Sequence, residues 1–267
     1  MRWHRPAALV LRQFYLLRGS PARLFPLFTW AAIDIILWGF FTRYLSAITS
    51  PGFHFVPALL GAVLLFDFFI RVMHGVTTAF FEDVWSRNFL NVFATPLTIG
   101  EYVGGLVVAS MATSTVGLVV MLLLATWGFG LSCFAYGAAA LPFMLVLFLF
   151  GIAMGIFGCA VVLRLGPAAE WFIWPIPALI SPFAGVFYPL STLPQWMRYI
   201  SRLLPPAYVF EGLRAIVAGR GASMGRLAGG GVLAALYIVG AFWFFRGIYR
   251  HAVRTGLVAR YSAESAS

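Results

Sequence analysis

FFEDVWSRNFLNVFATPLTIGEY, Phe80 to Tyr102, is a polar island between two long apolar runs. Trp85, Phe89 and Val92 or Phe93 recur at i, i+4 and i+7 or i+8, while Glu82, Asp83, Arg87, Asn88 and Asn91 supply the polar remainder. That spacing predicts a short amphipathic helix. Pro96 ends it, and Thr98 with Glu101 three residues later has the spacing of a capping box, which starts a new helix into the next apolar run. A helix of this kind between two apolar runs is open to a partner in the water.

On either side of the island the chain is suited to lipid. It is 62% hydrophobic and 10% charged, so its backbone polar groups must be satisfied within elements that cross a bilayer. Long apolar runs without period-2 alternation make those elements helices rather than barrel strands. The expected class is an all-α integral membrane protein whose residues 1–267 form a single transmembrane domain. Its six spans run over about 24–41, 55–81, 102–131, 138–163, 171–190 and 227–249. Several exceed the ~20 residues that cross ~30 Å of hydrocarbon, which implies tilt or projecting ends.

The net charge of +10 comes from 18 basic residues, all Arg. Many flank apolar runs, which directs them to anionic lipid headgroups rather than nucleic acid. Arg2, Arg5, Arg12, Arg18 and Arg23 precede the first run, and Arg250, Arg254 and Arg260 follow the last. With six spans the positive-inside rule puts both termini in the cytoplasm, as expected of a multi-pass protein of a bacterial cytoplasmic membrane. Arg43, Arg198, Arg202, Arg214, Arg220 and Arg226 count the other way, and the five of these between spans five and six are expected to snorkel to headgroups. Two cysteines, Cys133 and Cys159, are too few for a disulfide framework. The first run is preceded by Arg-bearing sequence and lacks a small-residue cleavage site, so it reads as a retained span.

Two further segments are predicted to be short helices. Before the first span, about residues 5–20, Val10, Phe14 and Leu17 share one helical face with Arg5 and Arg12 opposite, the pattern of an interfacial helix. After the fifth, Thr192-x-x-Gln195 has capping-box spacing, and Trp196, Ile200 and Leu203 make one apolar face. Pro205-Pro206 ends that helix, and another from about Ala207 carries Glu211 and Arg214 at i, i+3. The pair reads as a re-entrant or interfacial hairpin between spans five and six.

Polar residues within the spans are few. Asp67, Arg71 and His74 fall at i, i+4 and i+7 on one face of span two. They are either a proton or cation site or an internally neutralised pair that locks this span to its neighbours. Asp34 in span one has no local partner, so it reaches Arg71 or faces water. Gly151, Gly155 and Gly158, and Gly100 with Gly104, permit close helix approach. Trp30, Trp38, Trp127, Trp171 and Trp174 lie near span ends as in interfacial belts. No Lys is present, and with it no G-x-x-x-x-G-K-[ST] phosphate loop, and the His and Cys residues have no metal-ligand spacing. No catalytic residue, bound cofactor or metal is expected of this chain.

Taken together, the six-span layout with an interfacial first helix, the acidic start and Thr95-Pro96-Leu97 finish of the island, and the string Tyr188-Pro189-Leu190-Ser191, Leu193-Pro194, Pro205-Pro206, Glu211-Gly212-Leu213-Arg214 resemble the membrane permease of an ABC-2 type ABC transporter. The resemblance implies a homodimer of this chain with two copies of a separate ATP-binding subunit, which would bind ATP and Mg²⁺ and drive export by rocking the two bundles. It implies that Glu82, Asp83, Trp85, Arg87, Asn88 and Phe89 form a coupling helix against the ATPase. Tyr188, Pro189, Pro205, Pro206 and Glu211 would shape the outer gate. The apolar, aromatic-rich spans suit a hydrophobic or amphipathic small molecule. Export of a lipid or lipid-linked polysaccharide by the same mechanism is the alternative within the family. A proton-coupled secondary transporter using Asp34, Asp67 and His74 is the alternative outside it.

Overall fold

The computed structural model describes residues 4–48, 59–86, 91–92, 95–131, 140–221 and 223–256, without the side chains of His4 and of residues 22–24, 26 and 27. Every regular element among them is helical: α1 (His4–Arg18), α2 (Pro21–Ile48), α3 (Gly61–Trp85), α4 (Ile99–Phe129), α5 (Ala140–Leu165), α6 (Glu170–Ile173), α7 (Ile176–Ala184), α8 (Gln195–Ser201), α9 (Pro205–Val217) and α10 (Met224–Thr255), with 3₁₀ turns at Pro167–Ala169 and Leu190–Thr192. Phe28–Ile48 within α2 and the whole of α3, α4, α5 and α10 are long and apolar enough to cross a membrane. The chain is therefore a multi-pass membrane protein.

The apolar run at 171–190 does not form one continuous helix. It breaks between α6 and α7 at Trp174–Pro175, and a left-handed Gly185 ends α7. Pro175 and Pro177 lack the N–H groups that a through-going helix would use, so the run is folded as two short pieces. Its apolar composition was visible in the sequence, but the prolines decide its length.

α3 and α5 are the inner helices. Two thirds of the most apolar window of each is buried within the chain (67%), against 22% for α2 and 17% for α10, whose outer faces are left for lipid or another chain. In lipid, apolar burial gives helices little reason to associate, so close packing must do it. Gly151, Gly155 and Gly158 serve that end: a Cβ on each would come within 2.9 Å of Val72, 2.8 Å of Val76 and 2.8 Å of Thr77 on α3. The glycine stripe thus joins two helices of one chain. Around it Phe69 stacks on Phe150 with centroids 5.3 Å apart, and Phe80, Phe143 and Phe245 are fully enclosed. Gly100 and Gly104 have open space where a Cβ would be.

The capping box at the start of α4 is formed. The Thr98 hydroxyl accepts from the Glu101 N–H at 3.3 Å, and the Glu101 carboxylate accepts from the Thr98 N–H at 3.0 Å. The one expected at Thr192 is not. Thr192 lies in the 3₁₀ turn and donates to the Pro189 carbonyl at 2.7 Å, Pro194 takes the N-cap place of α8, and the Gln195 amide donates to Tyr199. Proline two residues before Trp196 fixes the chain in an extended entry that leaves the hydroxyl out of reach. Pro205 and Pro206 likewise begin α9 rather than only ending α8, because a first-turn residue needs no N–H partner.

Candidate functional site

α3 connects two places of interest. Along its length it lines a cavity of about 590 Å³ with Asp67, Arg71, His74 and Glu82. The cavity is lined from α2 by Trp30 and Asp34, from α1 by Gln13 and Leu17, from α4 by Ser110, Thr113 and Ser114, and from α6's end by Trp174. The Arg71 guanidinium donates to Asp67 one turn earlier, and the Asp34 carboxyl lies beside both groups. Asp34 therefore meets both of its sequence-based alternatives, since it is near Arg71 and faces the cavity. The imidazole of His74 packs on the Trp174 indole with centroids 4.4 Å apart. All four intramembrane polar residues, Asp34, Asp67, Arg71 and His74, are thus brought to one wall system.

Sequence reasoning missed the α1 and α4 contributions. Ser110, Thr113 and Ser114 stand at i, i+3 and i+4 in a largely apolar helix, and that polar stripe was the available signal. Ser110 donates to the Val72 carbonyl at 2.9 Å, while the Ser114 hydroxyl, 2% exposed as a residue, has no hydrogen-bond partner among the described residues. Gln13 sits at i+4 from Leu9 and i−4 from Leu17, a polar residue on the inward face of α1.

At its far end α3 runs without interruption to Trp85, where Ser86 caps it. Glu82, Asp83 and Trp85 are consequently the last turn of a long helix, not the start of a separate amphipathic one. Asn91 and Val92 are helical, and Arg87, Asn88 and Phe89 lie outside the described residues. Trp85 is exposed and Glu82 half-buried, but Asp83 is completely enclosed. An Arg12 Nη lies 2.5 Å from one Asp83 oxygen, and the Tyr102 hydroxyl donates to the other at 2.8 Å. The carboxylate raises the proton affinity of the Arg12 guanidinium above its usual value by hydrogen bonding. Asp83 therefore joins α1, α3 and α4, and the surface position expected for it is corrected: the neighbouring helix brings Arg12 over it. Arg5 repeats the pattern two turns earlier on α1. Its guanidinium donates to the Pro96 carbonyl at 2.5 Å and lies 3.5 Å from the Glu101 carboxylate. The basic side of α1 is turned to the ends of α3 and α4, leaving Leu11, Phe14 and Tyr15 exposed.

The residues expected at an outer gate cluster at the opposite end. Phe210 of α9 meets Phe66 near the start of α3, and Phe66 and Asp83 are 17 residues, about 26 Å of helix, apart. Glu211 accepts from the Leu190 N–H at 2.9 Å and pairs with Arg214 at 3.4 Å, and Arg214 donates to the Gly185 carbonyl. The Tyr188 hydroxyl donates to Pro182 at 2.9 Å, Pro189 is exposed beside it, and Pro205 and Pro206 are buried. Side-chain bonds thus fasten α9 to the turn after α7.

Gly221-Ala222-Ser223-Met224-Gly225 also has the G-x-S-x-G spacing of a hydrolase elbow. An elbow requires a strand entering the turn. Here the preceding element is helix α9, and Ser223 is the N-cap of α10, so the spacing belongs to a helix start.

The model of the ABC-2 type transporter family matches residues 7–218. The chain belongs to the ABC-2 type transporter family. It is thus a transmembrane permease subunit of an ABC transporter rather than the ATPase, in a family whose members generally pair with an ATP-binding subunit. No match was found among curated proteins.

Proposed function

We propose that this chain is the membrane half of an ATP-driven exporter that moves a hydrophobic or amphipathic small molecule out of the cytoplasm or the inner leaflet. Two copies of the chain would assemble with two ATP-binding subunits, which hold ATP and Mg²⁺, in a bacterial cytoplasmic membrane with both termini cytoplasmic. The observation that carries this reading is that one helix serves both ends of the task. α3 lines the cavity with Asp67, Arg71, His74 and Glu82 and continues unbroken to Trp85, the first of the residues that would meet the ATPase in this reading.

A straight helix transmits displacement along its length. When ATP draws the ATP-binding subunits together, a push at Trp85, Arg87, Asn88 and Phe89 moves the cavity wall, and Arg12 and Arg5 carry the motion to α1. ATP supplies the differential free energy between the two arrangements. At the other end α8 and α9 would form the re-entrant hairpin of a six-span layout in which α6 and α7 are the broken fifth span. Tyr188, Pro189, Pro205, Pro206 and Glu211 shape the outer mouth there. Lipid or lipid-linked glycan is the alternative cargo.

The test is gentle purification of the tagged chain from its native membrane. An ATPase bearing a phosphate loop is expected in equal amount, and lost with Trp85→Ala and Arg87→Glu. Recovery of the chain alone, under conditions that preserve other membrane complexes, would overturn the reading.

A further inference from the structure

We propose that the α1–α4 cavity binds a singly charged amphipathic organic cation, with Asp34 as its counter-ion. The inference rests on the permease reading above and specifies its substrate class.

The charges facing the cavity are unequal. Beside Arg71, Asp34 and Asp67 contribute two carboxyl groups against one guanidinium, which is already engaged by Asp67 one turn away on the same helix. An anion placed here would lie beside Asp34 and Asp67 with one cation already paired. With a neutral ligand Asp34 keeps its hydrogen bond to Asp67, which needs a proton between the two carboxyls, and a bound cation can take the place of that proton. A cation answers Asp34 directly.

A second set of observations is independent of the charge count. The side-chain nitrogen of Gln13, a residue 9% exposed, and the hydroxyl of Ser114, 2% exposed, both line the cavity without a hydrogen-bond partner among the described residues. Polar atoms enclosed in this way are seldom left unanswered in folded proteins. They stand on α1 and α4 rather than on α2 with Asp34, so they suit the polar substituents of a bound molecule beside its charge.

The remaining walls are aromatic. Trp30 precedes Asp34 by one helical turn on the same face, and Trp174 borders the cavity from the α6 end, steadied by His74 on one side and by its indole N–H donating to Glu170 at 2.9 Å. Indole faces attract organic cations. The volume of about 590 Å³ fits a drug-sized molecule, for which pockets of roughly 300–1,000 Å³ are usual. It is too roomy for a bare ion, and among the described residues no three His, Cys, Asp or Glu are placed to hold a metal.

The experiment uses the permease with its ATP-binding subunit in zwitterionic nanodiscs and measures equilibrium binding of labelled tetraphenylphosphonium, with empty nanodiscs subtracted. The isosteric anion tetraphenylborate is the comparison. Saturable binding of the cation alone is expected. Asp34→Asn should weaken it at least about tenfold, as loss of a charge-assisted contact does, and Asp34→Glu should restore most of it. Equal binding of both ions by the wild-type complex, or an Asp34→Asn complex indistinguishable from wild type, would overturn the proposal. The wild-type comparison needs no variant to fold. ATP hydrolysis and subunit stoichiometry are read on the same sample. A hydrolysing complex indifferent to the cation sinks this inference and leaves the permease reading intact. Cation binding by a chain that brings no ATPase does the reverse.

Discussion

Asp83→Asn separates an interior tie from a docking contact. The Asp83 side chain has no exposed surface, while Arg12 is 31% exposed and can return to water if released. A hydrogen bond to a charged group contributes about 1.5–3 kcal/mol, and amide substitution keeps the volume and one acceptor for Tyr102. Asp83→Asn should therefore cost about 2 kcal/mol. Arg12→Met leaves a buried carboxylate with only Tyr102 and should cost more, about 3–5 kcal/mol, as in other broken buried pairs. The double variant should cost clearly less than the two together, with a coupling energy of about 1.5–3 kcal/mol. Reversible unfolding of the four proteins in mixed micelles measures it. A coupling below about 0.5 kcal/mol, the worth of an exposed pair, would refute the reasoning. Asp83→Asn should also retain the ATP-binding subunit where Trp85→Ala loses it. Loss by both to the same extent would return Asp83 to the docking surface.

Gly155→Val should destabilise the chain by about 2–3 kcal/mol, since overpacking an interior has that effect and its Cβ would meet Val76 at 2.8 Å and the Met73 carbonyl at 3.0 Å. The same change at Gly104, where among the described residues nothing beyond its own helix backbone and chain neighbours lies within 4 Å of a Cβ, should leave the unfolding midpoint almost unmoved. Thr98→Ala removes the hydroxyl of the α4 capping box and should cost about 1 kcal/mol, read in the same unfolding assay. Glu211→Gln keeps an acceptor for the Leu190 N–H and loses the charge beside Arg214, whereas Glu211→Leu loses both. Proteolysis of the loop after α7 should accelerate more in the Leu variant than in the Gln variant, and equal rates would contradict the described fastening.

The class of protein was legible from composition, because a chain this apolar has few ways to satisfy its backbone other than helices in lipid. The start of α4 was legible for a local reason: Thr98 and Glu101 answer each other within one turn. The Glu211–Arg214 pair was legible on the same ground. The failures came where the partner is remote or where local chemistry was misweighed. Thr192 matched a capping box in spacing, but Pro194 fixes the chain so that its hydroxyl turns back to Pro189. Asp83 looked like surface because its own helix turn is polar. Its partner, Arg12, is 71 residues away.

Sequence by itself determined the helical membrane class, the positions of the apolar runs, the interruption between spans two and three, and which polar residues stand inside the spans. These follow from short-range periodicity and from solvent preference, which each residue carries with it. Only the tertiary structure decided that Asp34, Asp67, Arg71 and His74 share a cavity with Gln13, Ser114 and Trp174, that the glycine stripe of α5 serves α3, and that Asp83 is enclosed by α1. Those pairings depend on which helices lie side by side, and helix neighbours in lipid are chosen by close packing and buried polar contacts between distant parts of the chain.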